Sequence, residues 1–282
     1  MTIAITGATG QLGRLVVAAL KARAPAARIV ALARSPEKAA DLGVDARAFD
    51  YSKPDAQAAA LAGVKTLLLI SSSEIGQRAA QHRNVIAAAK AAGVSRIVYT
   101  SLLRADTSSL SLADEHRDTE QAIQASGLDH TILRNGWYSE NYTGSVGPAV
   151  AAGAFIGSAG NGRIASAART DYAEAAAIVV TSAGHSGRVY ELAGDTAYTL
   201  TELAAEISKQ TGKAIPYKNL TEADYAGALI GVGLPEIFAR AIAGWDVAAS
   251  QGALFDEGRA LSTLLGHPTT PIAASVKHAL GN

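Results

Sequence analysis

Apolar positions in the first half of the chain fall into short runs separated by longer, alanine-rich stretches of helical period. The runs Thr2–Thr6, Ile29–Ala33, Ala46–Phe49, Thr66–Ile70, Arg96–Ser101 and Thr131–Arg134 predict strands. The stretches Gly10–Ala22, Pro36–Gly43, Pro54–Leu61, Gly76–Ala92 and Ala113–Ser126 predict helices, and several of them stop at a glycine, as at Gly93 and Gly127. Strand–helix alternation at this spacing reads as a parallel sheet covered by helices on both faces. The near-continuous apolar character of the strands fits burial on both sides.

After residue 135 the rhythm changes. Glycine, proline and aromatic residues gather between Gly136 and Gly162, and a helix starting near Thr170 or Asp171 runs on to Thr181. Arg188–Leu192 reads as a strand, and Thr199 with Glu202 forms a capping box before Leu203–Lys209. Ile215–Leu220 reads as a strand, Thr221–Leu229 as a helix, and a last helix starts near Pro271. The expected organisation is an α/β, Rossmann-type doubly wound parallel sheet over residues 1–135. Residues 136–282 are expected to form a smaller C-terminal α/β lobe on the substrate side, partly interwoven with the core.

The strongest local signal is Gly7-Ala8-Thr9-Gly10-Gln11-Leu12-Gly13, placed between the first strand and the first helix. Gly7 permits the tight turn, Gly10 lets backbone approach a pyrophosphate, and Gly13 lets helix pack on sheet. The helix then presents free N–H groups and the positive end of its dipole to phosphate. Arg34 ends the second strand, where sites for NAD place an acid for the ribose 2′-hydroxyl. An arginine there suits the 2′-phosphate of NADP, so the expected cofactor is NADPH.

Ligands in such a sheet lie beyond the carboxyl ends of its strands. Asp50-Tyr51 is expected to border the adenine, and Ser71–Gly76 to line the ribose and nicotinamide. Asn135-Gly136-Trp137-Tyr138-Ser139-Glu140-Asn141-Tyr142 follows the sixth strand. It holds one of two tryptophans and two of nine tyrosines, a concentration suited to stacking a flat ring.

Composition narrows the chemistry. Basic and acidic residues balance at 25 each, so no electrostatic grip on nucleic acid or an anionic membrane is expected. There is no cysteine, which excludes disulfides, thiolate catalysis and cysteine metal sites and fits a cytoplasmic protein. The start of the chain runs directly into strand pattern with no targeting segment, and no apolar run approaches the roughly 20 residues of a spanning helix. The six histidines are scattered, with no pair at i, i+4. Asp114-Glu115-His116 lies among further charges and reads as a solvated helix face, so no metal is expected.

Reductases of this architecture commonly use Tyr-x-x-x-Lys, the lysine lowering the tyrosine pKa. None of the nine tyrosines has a lysine four places on, although Ser101 sits where such folds place a catalytic serine. Ordinary ketones need proton transfer near the hydride step, typically worth about 10²–10⁴-fold. A quinone delocalises the charge it receives, so its proton can come from water, and positioning does most of the work.

These residues resemble the bacterial type 2 NADPH:quinone oxidoreductases, in the NmrA-like, atypical short-chain dehydrogenase/reductase group. The matching stretches are Ile5–Gly13, Ile70–Asn84, Tyr99–His116, Leu133–Tyr142, Ile164–Ala173, Val189–Asp195 and Leu264–Thr270, spread over essentially the whole chain. Ser71–Arg78 and Asn135–Tyr142 are the most specific. The resemblance implies two-electron reduction of a small quinone to hydroquinone by direct hydride transfer from NADPH, without flavin. It implies cofactor contacts from Gly7, Ala8, Thr9, Gly10, Gln11, Leu12, Arg34, Ser73, Glu74, Ile75, Tyr138, Ser139, Glu140, Asn141, Tyr142 and Arg169. It supplies no proton donor; Tyr138 and Asn141 are the candidates for positioning substrate. A homodimer is compatible with the alanine-rich helices. The alternatives are an NmrA-type dinucleotide sensor without turnover, or a reductase of another conjugated acceptor such as a triphenylmethane dye.

Overall fold

The computed structural model describes residues 1–281. Its first half runs β1 (Thr2–Thr6), α1 (Gln11–Arg23), β2 (Arg28–Ala33), a 3-10 helix (Pro36–Leu42), β3 (Asp45–Ala48), α2 (Pro54–Ala60), β4 (Thr66–Leu69), α3 (Arg78–Ala91), β5 (Arg96–Leu102), α4 (Ala113–Ser126) and β6 (Asp129–Asn135). There follow α5 (Glu140–Thr143), α6 (Val146–Ala152), β7 (Phe155–Gly157), α7 (Arg169–Thr181), β8 (Val189–Leu192) and α8 (Leu200–Thr211). The chain ends with β9 (Tyr217–Asn219), α9 (Glu222–Gly231), α10 (Glu236–Ser250), α11 (Ala260–Leu265) and α12 (Ile272–Ala279).

Seven strands form one sheet in the order β3-β2-β1-β4-β5-β6-β8, and every neighbouring pair is parallel. The chain reverses its winding direction between β1 and β4, the switch point at which ligands sit in open sheets of this kind. Helices α1 and α7 pack against each other on one face, with α11 beside α7, while α2, α3 and α4 cover the other. Val16, Val17 and Leu20 of α1 share a core with Ala173, Ala175, Ala176 and Ala177 of α7, whose small side chains let the two helices approach closely. Beyond β6 the chain builds a smaller lobe around the two-stranded β7–β9 sheet, with its own core from Phe155, Leu200, Leu203 and Ile207. Two parts of the chain beyond residue 135, α7 and β8, return to the large sheet and complete it.

Local chemistry accounts for the element ends. The segment Pro36–Leu42 closes as a 3-10 turn on Gly43, whose φ of 64° is left-handed. Thr199 and Glu202 satisfy each other's backbone N–H groups in the expected capping box. Helix α3 starts at Arg78, two residues later than the periodicity suggests, because Ser73–Gln77 are spent on tight turns. Among the described residues no helix is long and apolar enough to cross a membrane.

One sequence expectation is overturned. Asp114 does face solvent, but His116 is buried and shares a 2.7 Å hydrogen bond with the Tyr99 hydroxyl. Glu115 accepts from the backbone N–H of Gly76 and pairs with Arg78. The face that carries these two residues packs on α3 and the serine loop instead of pointing to water.

Candidate cofactor and substrate site

A cleft of about 660 Å³ opens at the carboxyl ends of β1, β2 and β4. Its floor is the glycine turn. Gly7 holds a φ of 59°, in the left-handed region, and its carbonyl accepts from Gly10 N–H at 2.9 Å. A Cβ on Gly13 would sit inside the van der Waals envelope of the Gly7 carbonyl, so only glycine lets α1 start this close to the turn. Helix α1 begins with Gly10 as N-cap, no side chain capping it and no acid in its first turn. Its N-terminal N–H groups and dipole are therefore left to an anion. Arg14 braces the turn, donating to the Thr9 carbonyl and the Lys38 carbonyl and pairing with Asp41.

The serine loop after β4 forms the opposite wall and is fixed from below. Ser72 N–H donates to His82 Nε2 at 2.9 Å, which leaves the His82 proton on Nδ1, 3.0 Å from the Thr119 hydroxyl. That hydroxyl donates onward to the Glu115 carbonyl. Burial drives the His82 pKa down to about 3, with the Arg78 charge adding to the effect, so the ring stays neutral and keeps its acceptor nitrogen. Ser72 Oγ donates to Gln81, and Arg78 donates to the Ser72 carbonyl, both at 2.6 Å. The Tyr51 hydroxyl donates to the Ile70 carbonyl at 2.7 Å, setting its ring beneath the turn.

At the far end the Tyr138 ring lies under the Arg169 guanidinium, 4.8 Å from its centroid, and meets Tyr172 edge-on. Asn135 Nδ2 donates to the Tyr138 hydroxyl at 3.4 Å. Burial raises the Tyr138 pKa despite Asn135 and the Arg169 charge, so the phenol stays protonated. Glu140 accepts the Arg169 backbone N–H with both carboxylate oxygens and so caps α7. Asn141 Oδ1 accepts from Arg169 Nη2 at 3.0 Å.

The cleft brings together Gly7, Thr9, Gly10, Gln11, Leu12, Arg34, Ser73, Glu74, Tyr138 and Arg169 of the residues singled out in the sequence. It does not gather the rest. Ala8 is fully buried in the core against α1, and Ile75 faces solvent. Ser139 is buried and bonded to Ser166, and the Tyr142 hydroxyl donates to the buried Asp246. Glu140 and Asn141 reach the site through Arg169 rather than by lining the cleft. Trp137 stacks edge-on against Trp245 in the lobe. Ser101 is buried behind the site, donating to Glu120, which is itself clamped by Arg134. Phe49, Ser35, Lys38 and Arg78 also line the cleft and were not picked out. Lys38 carried a signal, a second cation one turn beyond Arg34.

The walls suit a dinucleotide: an uncapped helix start for the pyrophosphate, the cations Arg34 and Lys38 at one end and a flat aromatic at the other. Comparison with known proteins agrees. A family model described as NAD(P)H-binding matches residues 7–183. Quinone oxidoreductase 2 of Escherichia coli is 60% identical, the alignment covering 98% of each chain. The crystal structure of the Escherichia coli NADPH-dependent quinone oxidoreductase complexed with NADPH superposes with a TM-score of 0.96, covering 99% of this chain and 100% of that one. Triphenylmethane reductase of Citrobacter sp. is 37% identical with a TM-score of 0.95, each chain fully covered. The chain belongs to the NAD(P)H-binding family and, within it, to the bacterial type 2 NADPH:quinone oxidoreductases.

Proposed function

We propose that this protein reduces quinones to hydroquinones with NADPH, by direct hydride transfer and without flavin. One observation supports the reading above others. A single cleft joins a phosphate-binding glycine turn and Arg34 to a protonated, partly buried phenol, with no Tyr-x-x-x-Lys pair in the chain. When bound, NADPH supplies the hydride. The N–H groups at the start of α1 hold the pyrophosphate, and Arg34 with Lys38 holds the 2′-phosphate. Arg169, fixed by Glu140 and Asn141, pins the Tyr138 ring from above. The Tyr138 hydroxyl oxygen accepts a hydrogen bond from Asn135 Nδ2, which leaves its own O–H to donate to the oxygen that gains charge. The overall balance is quinone, NADPH and one proton giving hydroquinone and NADP⁺, with the proton drawn from water.

The lobe formed by residues 136–282 apart from α7 and β8, which belong to the core, is the substrate side of this reading, and a small-molecule quinone is the sole partner it needs. Balanced charge argues against a nucleic-acid partner, and the absence of cysteine favours a cytoplasmic setting. The test mixes purified protein with NADPH and a small benzoquinone and follows the nicotinamide absorbance. Quinone-dependent oxidation well above the uncatalysed rate is expected. Tight NADPH binding with no such rate would overturn the enzyme in favour of a sensor.

A further inference from the structure

Arg34 and Glu74 form an ion pair across the cleft, Nη1 to Oε1, at 3.2 Å. It links the end of β2 to the loop after β4 and so passes over the end of β1, where the glycine turn begins. The two partners are held very differently. Arg34 has no other side-chain partner among the described residues and its side chain is 69% exposed. Glu74 is anchored: its second oxygen accepts from Gln81 Nε2 at 2.7 Å, and Gln81 is 3% exposed. Gln81 is fixed in turn, accepting from the Ser72 hydroxyl at 2.6 Å and donating to the Ser52 hydroxyl at 3.0 Å. A buried amide therefore locks one carboxylate at the NADP-selecting end of the cleft.

We infer that Glu74 limits the preference for NADPH over NADH, by competing with the 2′-phosphate for Arg34 and by offering an acceptor to a bare ribose hydroxyl. NADPH and NADH differ only in that phosphate. To hold it, the exposed Arg34 guanidinium exchanges the Glu74 carboxylate for phosphate oxygens, and the exchange subtracts from the affinity gained. Glu74 stays in place because Gln81 holds it. With NADH no phosphate draws Arg34 away and the ion pair persists, while the remaining lone pairs of the Glu74 carboxylate can still accept a hydroxyl. The pair is the counterweight to an arginine that would otherwise select NADPH more strictly. The inference rests on the assignment of the 2′-phosphate to Arg34.

The experiment is calorimetric titration of both cofactors into the wild type, Glu74→Gln, Arg34→Ala and the double variant. Gln at 74 keeps the shape and an acceptor for Gln81 while removing the charge. Exposed ion pairs are weak, so Glu74→Gln is expected to raise the ratio of Kd(NADH) to Kd(NADPH) by about three- to tenfold. In the Arg34→Ala background the same change should leave the ratio within about twofold. Equal shifts for the two cofactors, or weaker NADPH binding in Glu74→Gln, would overturn the inference, as would a full rise that persists without Arg34. Arg34→Ala alone reports on the underlying assignment: an unchanged ratio there removes both that assignment and the inference.

Discussion

Ser101 at the end of β5 donates its hydroxyl proton to Glu120 on α4, and both residues are buried. Glu120 also accepts two N–H groups of Arg134, at 3.0 and 2.7 Å, while Arg134 reaches on to Glu191 and Asp106. The serine is thus absorbed into an ion network that ties β5, β6, β8 and α4 together. Ser101→Ala should leave quinone turnover within about twofold and cost about 1–3 kcal/mol of stability, through an under-satisfied buried carboxylate. Glu120→Ala should cost about 3–5 kcal/mol, because it leaves a buried guanidinium short of its main partner. Urea unfolding alongside the NADPH assay separates the two effects. A large loss of turnover in Ser101→Ala with stability unchanged would make the serine catalytic.

Gly13→Ala addresses the turn. The added methyl collides with the Gly7 carbonyl, which is backbone and has no room to give. The helix must shift, and overpacking of this kind costs about 1–3 kcal/mol. NADPH binding should weaken by more than tenfold, about the loss of one charge-assisted hydrogen bond. A thermal melt with and without NADPH measures both, and an intact cofactor-induced rise in Tm contradicts the close-packed turn.

Acid should unlock the serine loop. Burial lowers the pKa of His82 to about 3 and that of His116 well below its ordinary value. In the unfolded chain both titrate near 6.5. The stability they contribute is whole above about pH 6.5 and is lost as pH falls below it, down to about 3 for His82, because the unfolded state then binds the extra protons. Each histidine adds a slope of about 1.4 kcal/mol per pH unit within that window. Asp171 and Asp246, raised by burial, act in the opposite sense, so the comparison must be internal. His82→Gln keeps side-chain hydrogen-bonding groups and should flatten the wild-type slope between pH 6.5 and 5 by about one proton. Parallel slopes would mean that His82 is charged in the folded protein.

Tyr138 and Trp137 are neighbours with different surroundings. Tyr138 lines the cleft, whereas Trp137 packs on Trp245, whose indole N–H donates to Ser111. Tyr138→Phe should lower kcat for a benzoquinone about tenfold and leave the Kd for NADPH within about twofold, consistent with loss of one donor to developing charge. Trp137→Ala should raise the quinone KM more than kcat falls. An equal effect of either change on NADPH binding would make the segment a cofactor lid.

Much of this was legible in the sequence because strands buried on both faces write themselves as apolar runs, and a glycine turn has few other uses between a strand and a helix. The second half was harder to read. The short α5, α6 and β7 span only four, seven and three residues, too few to show a period. At the site, Gly7, Gly10 and Arg34 follow from backbone geometry and charge at fixed offsets. Depth is another matter. Nothing local distinguishes Tyr138, which lines the cleft, from Tyr142, four residues on, whose hydroxyl is turned to Asp246 in the lobe core. His116 looked solvated because its sequence neighbours are charged, while its true partners, Tyr99 and the α3 face, are distant along the chain.

The seventh strand has a consequence for how the molecule is made. A nascent chain that has emerged only to Asn135 already holds six strands, yet α7 and β8 have still to appear. Until they arrive, Val16, Val17 and Leu20 have no helix against them, and β6 presents an open edge on which another strand can pair. Only the first part of the lobe, α5, α6 and β7, is threaded between β6 and α7, and it must emerge before the sheet can be sealed. Synthesis therefore passes through a stage in which the sticky face belongs to the half that looks finished, and a chaperone that recognises exposed aliphatic helix faces would find its target there.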